Sequence, residues 1–145
     1  ARFHYKSTII TFAGIIQEVL SNPETRVCIF SNTKDIAVPF STQIKDEFEG
    51  NELLQQIYAD VLWSNPVKEA PAWTASAITI KRKGNYREAT IEAHGLINAL
   101  PTGKHFPILV YDDAINERNE ALKKLGNRTG GSTLVLPDGS KARQR

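Results

Sequence analysis

Apolar residues crowd the start of the chain. Ile9, Ile10, Phe12, Ala13, Ile15, Ile16, Val19 and Leu20 cover most of the circumference of a helix from Ser7 to about Leu20. A helix apolar nearly all round is expected to be buried. Ser21-Asn22-Pro23 stops it. The stretch from Arg26 to Phe30 is short, apolar and bounded by turn residues, which predicts a buried strand. Ser31-Asn32-Thr33 follows as a loop. A second helix runs on to about Glu49, with Ile36, Phe40, Ile44 and Phe48 marking one face. Pro39 leaves its start open, because proline is comfortable only in a first turn. Gly50 ends it, and Asn51 can cap a third helix carrying Leu53, Leu54, Ile57, Tyr58, Val61 and Leu62.

The pattern then changes period. Ser64 to Pro71 is an irregular, proline-containing connection. Ala75 to Lys81 alternates between two faces, Gly84-Asn85 makes a turn, and Arg87 to His94 alternates again with Ala89, Ile91 and Ala93 on one side. These segments predict a hairpin. Leu100 to Lys104 is a loop, and Pro107 to Tyr111 is a solid apolar run of the kind found in central parallel strands. Thr133 to Leu136 reads as a short strand between the turn signals Gly130-Gly131 and Pro137-Asp138-Gly139-Ser140. Mixed strands and helices in this order predict an α/β sheet with helices on its faces.

Composition narrows the picture only a little. A chain of 145 residues is the size of one domain and long enough for a real core. No apolar run approaches the roughly 20 residues that cross a bilayer, and the opening residues do not form a signal peptide. The net charge of +2 is too small to argue for nucleic acid by itself. Lys123, Lys124, Arg128, Lys141, Arg143 and Arg145 gather toward the C-terminal end; a solvated charged run is the plain reading and contact with DNA phosphate the sharper one. Cys28 stands alone inside Val27-Cys28-Ile29-Phe30, where a free cysteine behaves as a small core residue. The chain has no Met and opens on a motif rather than a strand. Both features lead to the expectation of a truncated piece, with its first strand ahead of residue 1.

Two motifs carry chemistry. Ala1-Arg2-Phe3-His4-Tyr5-Lys6-Ser7-Thr8 places Lys-Ser-Thr at the head of the first helix. Backbone N–H groups at a helix start bind phosphate oxygens, a Lys there neutralises phosphates, and a Ser hydroxyl ligates Mg²⁺. The usual loop has glycine immediately before its Lys, a position that holds Tyr5 here, and another six residues before that Lys, one position ahead of Ala1. The second motif, Ile108-Leu109-Val110-Tyr111-Asp112-Asp113, is a strand ending in two acids. Ligands of open α/β sheets bind at that end. A helix start and an acidic turn are each common, so the weight lies in the pair.

From residue 1 to about residue 119 the chain resembles the ATPase domain of phage large terminases. The early Arg2 and the missing glycines match the deviant phosphate loop of that family. Phe30-Ser31-Asn32-Thr33, Asp60-Val61-Leu62-Trp63 and Trp73 resemble its next landmarks. His94-Gly95-Leu96, then Pro101-Thr102-Gly103-Lys104-His105-Phe106, then Val110-Tyr111-Asp112-Asp113 is the most specific match. The resemblance implies a P-loop NTPase fold of the RecA-like kind. It would be a mostly parallel sheet with flanking helices, lacking its first strand and its C-terminal part. Residues 120–145 do not match.

The same resemblance implies ATP and Mg²⁺. Lys6 would bind phosphate, with His4, Tyr5 and Thr8 in the same loop. Ser7 and Asp112 would ligate Mg²⁺. Arg2 would act on the γ-phosphate, and Asp113 would stand at the catalytic carboxylate, which is most often Glu in the family. Double-stranded DNA, a small terminase subunit, a portal protein and a homo-oligomeric ring would be the partners, in the host cytoplasm and with no membrane. The nuclease domain is missing, so no nuclease activity is expected. The alternatives are another DNA-dependent P-loop ATPase of the helicase kind, or an inactive truncated remnant. The isolated segment is expected to bind Mg²⁺-ATP weakly or not at all, and to be inactive. Trp63 and Trp73 are expected to pack under loops rather than stack on bases, and His4, His94 and His105 do not have metal-ligand spacing.

Overall fold

The computed structural model describes residues 7–97, 101–112, 134–135 and 141–142. The chain divides into two units, Ala1–Ala114 and Ile115–Arg145. In the first, a π-helical segment, Ser7–Gly14, passes directly into α1, Ile15–Ser21. The expected helix is therefore present, but its described side chains are not buried all round. Thr11, Ile15 and Val19 form one buried line, while Ala13, Gly14, Gln17 and Glu18 are exposed. The spacing of four decides this, since such residues stack on one face.

The strand β1, Val27–Ser31, is buried at every position. It leads through Asn32 and Thr33 into α2, Lys34–Gly50, which buries Ala37, Ser41, Ile44 and Phe48. Ile36 shares the predicted spacing but is 40% exposed. Pro39 lies inside α2, beyond its first turn, so the helix tolerates a carbonyl, that of Asp35, with no i+4 N–H to accept. Two residues on, the Ser41 hydroxyl donates to the carbonyls of Val38 and Ala75, tying α2 to the segment before β2.

Asn51 caps α3, Glu52–Ile57, as expected: its Oδ1 accepts the Leu54 N–H at 3.0 Å. The helix is shorter than predicted. Tyr58 leaves helical geometry, and the N–H groups of Val61 and Leu62 turn back to its carbonyl at 2.9 and 2.7 Å. That turn brings Val61 and Leu62 into the core, where a continued helix would carry them past it. A single turn, α4, Pro66–Glu69, fills the connection that follows.

The sheet runs β2-β3-β1-β4, with β2 at Ala77–Ile78, β3 at Ile91–Gly95 and β4 at Ile108–Tyr111. β1 is central and parallel to both β3 and β4, while β2 is antiparallel to β3. The predicted hairpin survives as a short ladder, Ala77↔Glu92 and Ile78↔Ile91. Its second arm became an inner strand of a mixed sheet, parallel to β1 on one side, which is why Glu88, Thr90 and Glu92 are buried along with Ala89, Ile91 and Ala93. Parallel register puts Val27, Ile29, Ile91, Ala93, Ile108 and Val110 on one face. There Val27, Ile29 and Ile91 join Ile15, Val19, Ile44, Phe48 and Val61 in one core. Cys28, Phe30, Glu92, His94, Leu109 and Tyr111 share the opposite face. Glycine is required where β3 ends: a Cβ on Gly95 would stand 2.4 Å from the Lys34 N at the start of α2.

The apolar run of β4 suggested a central strand. Among the described residues it is an edge strand, paired only with β1, and Leu109 and Tyr111 are 48% and 53% exposed. Strand composition reports the apolar character of both faces, not how many neighbours pair with the edges. In the second unit, β5, Leu134–Val135, pairs antiparallel with β6, Lys141–Ala142; β5 falls within the predicted short strand, and the predicted turns at Gly130-Gly131 and Pro137-Asp138-Gly139-Ser140 lie outside the described residues.

Phe48, 1% exposed at the centre of the core, is the anchor of α2. Phe48→Ala is expected to cost about 3–5 kcal/mol in urea unfolding, and Ile36→Ala less than about 1 kcal/mol. Equal losses would contradict the burial described for α2.

Candidate functional site

The first helix precedes β1 and packs on the sheet, so its start lies toward the end where β1 finishes. One contact fixes this. The Thr11 hydroxyl donates to Asp112 Oδ2 at 2.9 Å, a buried bond between residues 101 apart in sequence. Thr11 is 3% exposed and Asp112 5%. Asp112 follows β4 directly, and its N–H donates to the Phe30 carbonyl at 2.9 Å. Its own carbonyl accepts the Ser31 hydroxyl at 2.7 Å. Ser31 ends β1, and its carbonyl accepts the Leu96 N–H beyond β3 at 3.0 Å. The carboxyl ends of β1, β3 and β4 are thus stitched together, and the buried Asn32 lies beside them in sequence.

This edge brings together part of the predicted set. Asp112 is there. Ser7 and Thr8 open the π-helical segment, and Ser7 precedes Thr11 by four residues, about one helical turn. Arg2, His4, Tyr5, Lys6 and Asp113 lie outside the described residues. Thr11 itself was not singled out from the sequence. The available signal was a lone hydroxyl within Ile9-Ile10-Thr11-Phe12, one turn after Ser7. Wide π-type turns are rare and frequent at functional sites. A carboxylate and a hydroxyl offer hard oxygen donors at the ligand edge of the sheet, which suits Mg²⁺.

A second polar group lies on the opposite face from the core. Glu92 is 4% exposed and accepts from Lys104 Nζ at 2.9 and 2.7 Å and from the Ala89 N–H at 2.8 Å. Its Oε2 also lies 2.8 Å from His94 Nε2. Burial pushes the carboxyl upward, but the bonds from His94, Lys104 and Ala89 together outweigh it and hold it at about 2. Lys104 reaches Glu92 from a turn closed by its N–H on the Pro101 carbonyl, with Gly103 at φ 76°. Only glycine adopts that conformation freely. The signal for Glu92 was an acid set between Ile91 and Ala93 in a strand pattern.

The remaining candidates resolve into packing. Trp63 Nε1 donates to the Thr79 carbonyl at 2.8 Å, and Trp73, packed against the core, donates its Nε1 to Glu49 Oε1 of α2. Burial pushes the Cys28 thiol up to about 12, with Glu92 nearby adding to it, so this cysteine is a core residue. No group of three or more potential metal ligands occurs among the described residues. No helix among them is long and apolar enough to cross a membrane. Compared with protein-family models, curated proteins and solved structures, the chain matches none.

Two expectations follow. Thr11→Val keeps the side-chain shape and deprives the buried Asp112 of its hydroxyl donor. It should cost about 1–3 kcal/mol in urea unfolding, with Thr11→Ser closer to wild type. Glu92 has a folded pKa below its ordinary 4.5, so its stabilisation is complete above 4.5 and is lost as pH falls toward 2. The urea midpoint of the wild type should drop over that window, and Glu92→Gln should flatten the drop. Parallel profiles would remove Glu92 from the acid response.

Proposed function

We propose that this chain forms part of the Mg²⁺-ATP site of an ATP-hydrolysing motor, of the kind in large terminases that drive double-stranded DNA into a phage capsid. The observation that carries the reading is the Thr11–Asp112 bond. It sets the helix that begins with Ser7 and Thr8 against the acid that follows β4. P-loop enzymes need these two parts together, since the loop hydroxyl and the strand acid share one Mg²⁺.

In this reading Ser7 and Asp112 hold Mg²⁺, and Thr11 keeps the Asp112 carboxylate turned toward the helix start. The bound ion supplies neutralisation of charge on the β- and γ-phosphates. Lys6, with the loop residues His4, Tyr5 and Thr8, binds phosphate, and Arg2 reaches the γ-phosphate. Asp113 orients the attacking water. DNA is held through its backbone, because a translocating motor cannot depend on sequence. Coupling to a small terminase subunit, a portal protein and a ring of like subunits belongs to the same proposal. So do the host cytoplasm as its place and the RecA-like P-loop fold as the finer form of the α/β sheet.

The test is DNA-stimulated ATP hydrolysis by the protein that carries this segment. Lys6→Ala and Asp112→Asn are each expected to lower turnover by roughly 100-fold or more, the scale of losing one charge-stabilising group. Hydrolysis unchanged in Lys6→Ala would refute the proposal. Hydrolysis that depends on Lys6 but not on double-stranded DNA would leave an ATPase of another kind.

A further inference from the structure

Away from the Asp112 edge, a cavity of about 420 Å³ opens beside β2 and β3. Small-molecule sites are roughly 300–1,000 Å³. Short side chains, among them Ala77, Thr79 and Ala89, leave the room for it. Its charges are unequal: Lys34, Arg82, Arg87 and Lys104 face it, against Glu88 and Glu92.

Both carboxylates are already committed. Glu92 is held by Lys104, His94 and the Ala89 N–H. Glu88 accepts the His105 N–H at 2.7 Å and lies 3.7 Å from Arg26. Neither forms an ion pair with Lys34 or Arg87. Lys34 and Arg87 have no side-chain hydrogen bond or ion pair among the described residues. Arg82 is half committed. Its Nη2 donates to the carbonyls of Tyr86 and Glu88 at 3.4 and 2.6 Å, while Nη1 is buried with no acceptor. A buried donor without an acceptor is costly, so such a group calls for a partner. Lys34 also opens α2, a helix of 17 residues whose positive end favours anions.

We propose that this cavity is an anion site, separate from the nucleotide edge, that takes a small phosphate monoester. Guanidinium forks match the oxygens of a phosphate group, and a lysine adds a point charge beside them. The volume exceeds what inorganic phosphate fills, so the phosphate carries a small organic group. Arg87 stands at the Gly103 turn, where a Cβ on Gly103 would lie 3.5 Å from its Nη1. The same turn delivers Lys104 to Glu92. Binding at Arg87 therefore bears on the turn that precedes β4.

The experiment is a titration of this chain with inorganic phosphate and with glycerol 3-phosphate, followed by amide chemical shifts. Saturable binding is expected with a Kd on the order of 1 mM or lower, tighter for the ester. The shifts should centre on the segments around Lys34, Arg82, Arg87 and Lys104. The double variant Lys34→Ala/Arg87→Ala changes two exposed side chains with no partner among the described residues and should keep the fold. It should weaken binding by roughly tenfold or more, whereas Lys6→Ala should leave it unchanged. Should the double variant lose its structure, Arg87→Gln alone serves, with a smaller loss of the same sign. No saturation by about 50 mM ester would overturn the proposal, as would equal affinity in the double variant. Displacement of the ester by a short DNA duplex would assign the cations to nucleic-acid backbone and overturn it too. Loss of binding in Lys6→Ala would place the phosphate at the nucleotide edge instead.

Discussion

The other strands of the main sheet take their places from β1. Its residues Val27–Ser31 are all buried, with β3 paired on one side and β4 on the other. A strand covered on both faces and both edges cannot slip by one residue without turning its apolar set to the wrong side. That register settles where β3 and β4 end, and so brings Gly95 and Asp112 to the same edge. It also divides the side chains into two faces. One face receives the helices. The other carries Phe30 stacked on Tyr111 at 5.3 Å, with His94 and Glu92 beyond.

The contrast between those faces explains how charge is tolerated in the sheet. Glu92 lies in register with the buried Cys28 and is itself almost wholly buried. Taking a carboxylate out of water is unfavourable unless hydrogen bonds replace hydration. Here a lysine, a histidine and a backbone N–H do so, and two of them come from outside the strand: Lys104 from the Gly103 turn and the Ala89 N–H from the approach to β3. The acid therefore organises the loops on either side of β3. A fully satisfied buried network of this kind fixes one arrangement more strictly than apolar packing does.

Periodicity revealed the segments but not their neighbours. The strand at Val27, the α2 face at Ile44 and Phe48, and the cap at Asn51 were legible because each depends on local spacing or local hydrogen bonding. The pairing of β3 with β1 was not, because alternation in Arg87 to His94 fits a hairpin arm and an inner strand equally well. The end of α3 was hidden for a related reason: Val61 and Leu62 keep helical spacing, yet a tertiary demand for burial turns the chain at Tyr58. The candidate site was legible through its acid. Asp112 could be picked out at the end of an apolar run, whereas its partner Thr11 is a single hydroxyl among Ile and Phe, with meaning only once the helix lies against β4.

That partnership bears on function as well as on fold. A buried hydroxyl–carboxylate pair is a poor device for stability alone, since apolar side chains of similar volume stabilise a core at least as well and leave no charge to desolvate. The Thr11 line continues as Ile15 and Val19, so the fold uses the apolar solution one and two turns further along the same helix. Among the described residues of that line, it departs from that solution at the carboxyl edge of the sheet, in the wide π-type turns, against the residue that follows β4. Local rules are most often broken where a site needs them broken. The position of this exception, more than the acid itself, is what supports the proposal that this edge handles Mg²⁺ and phosphate.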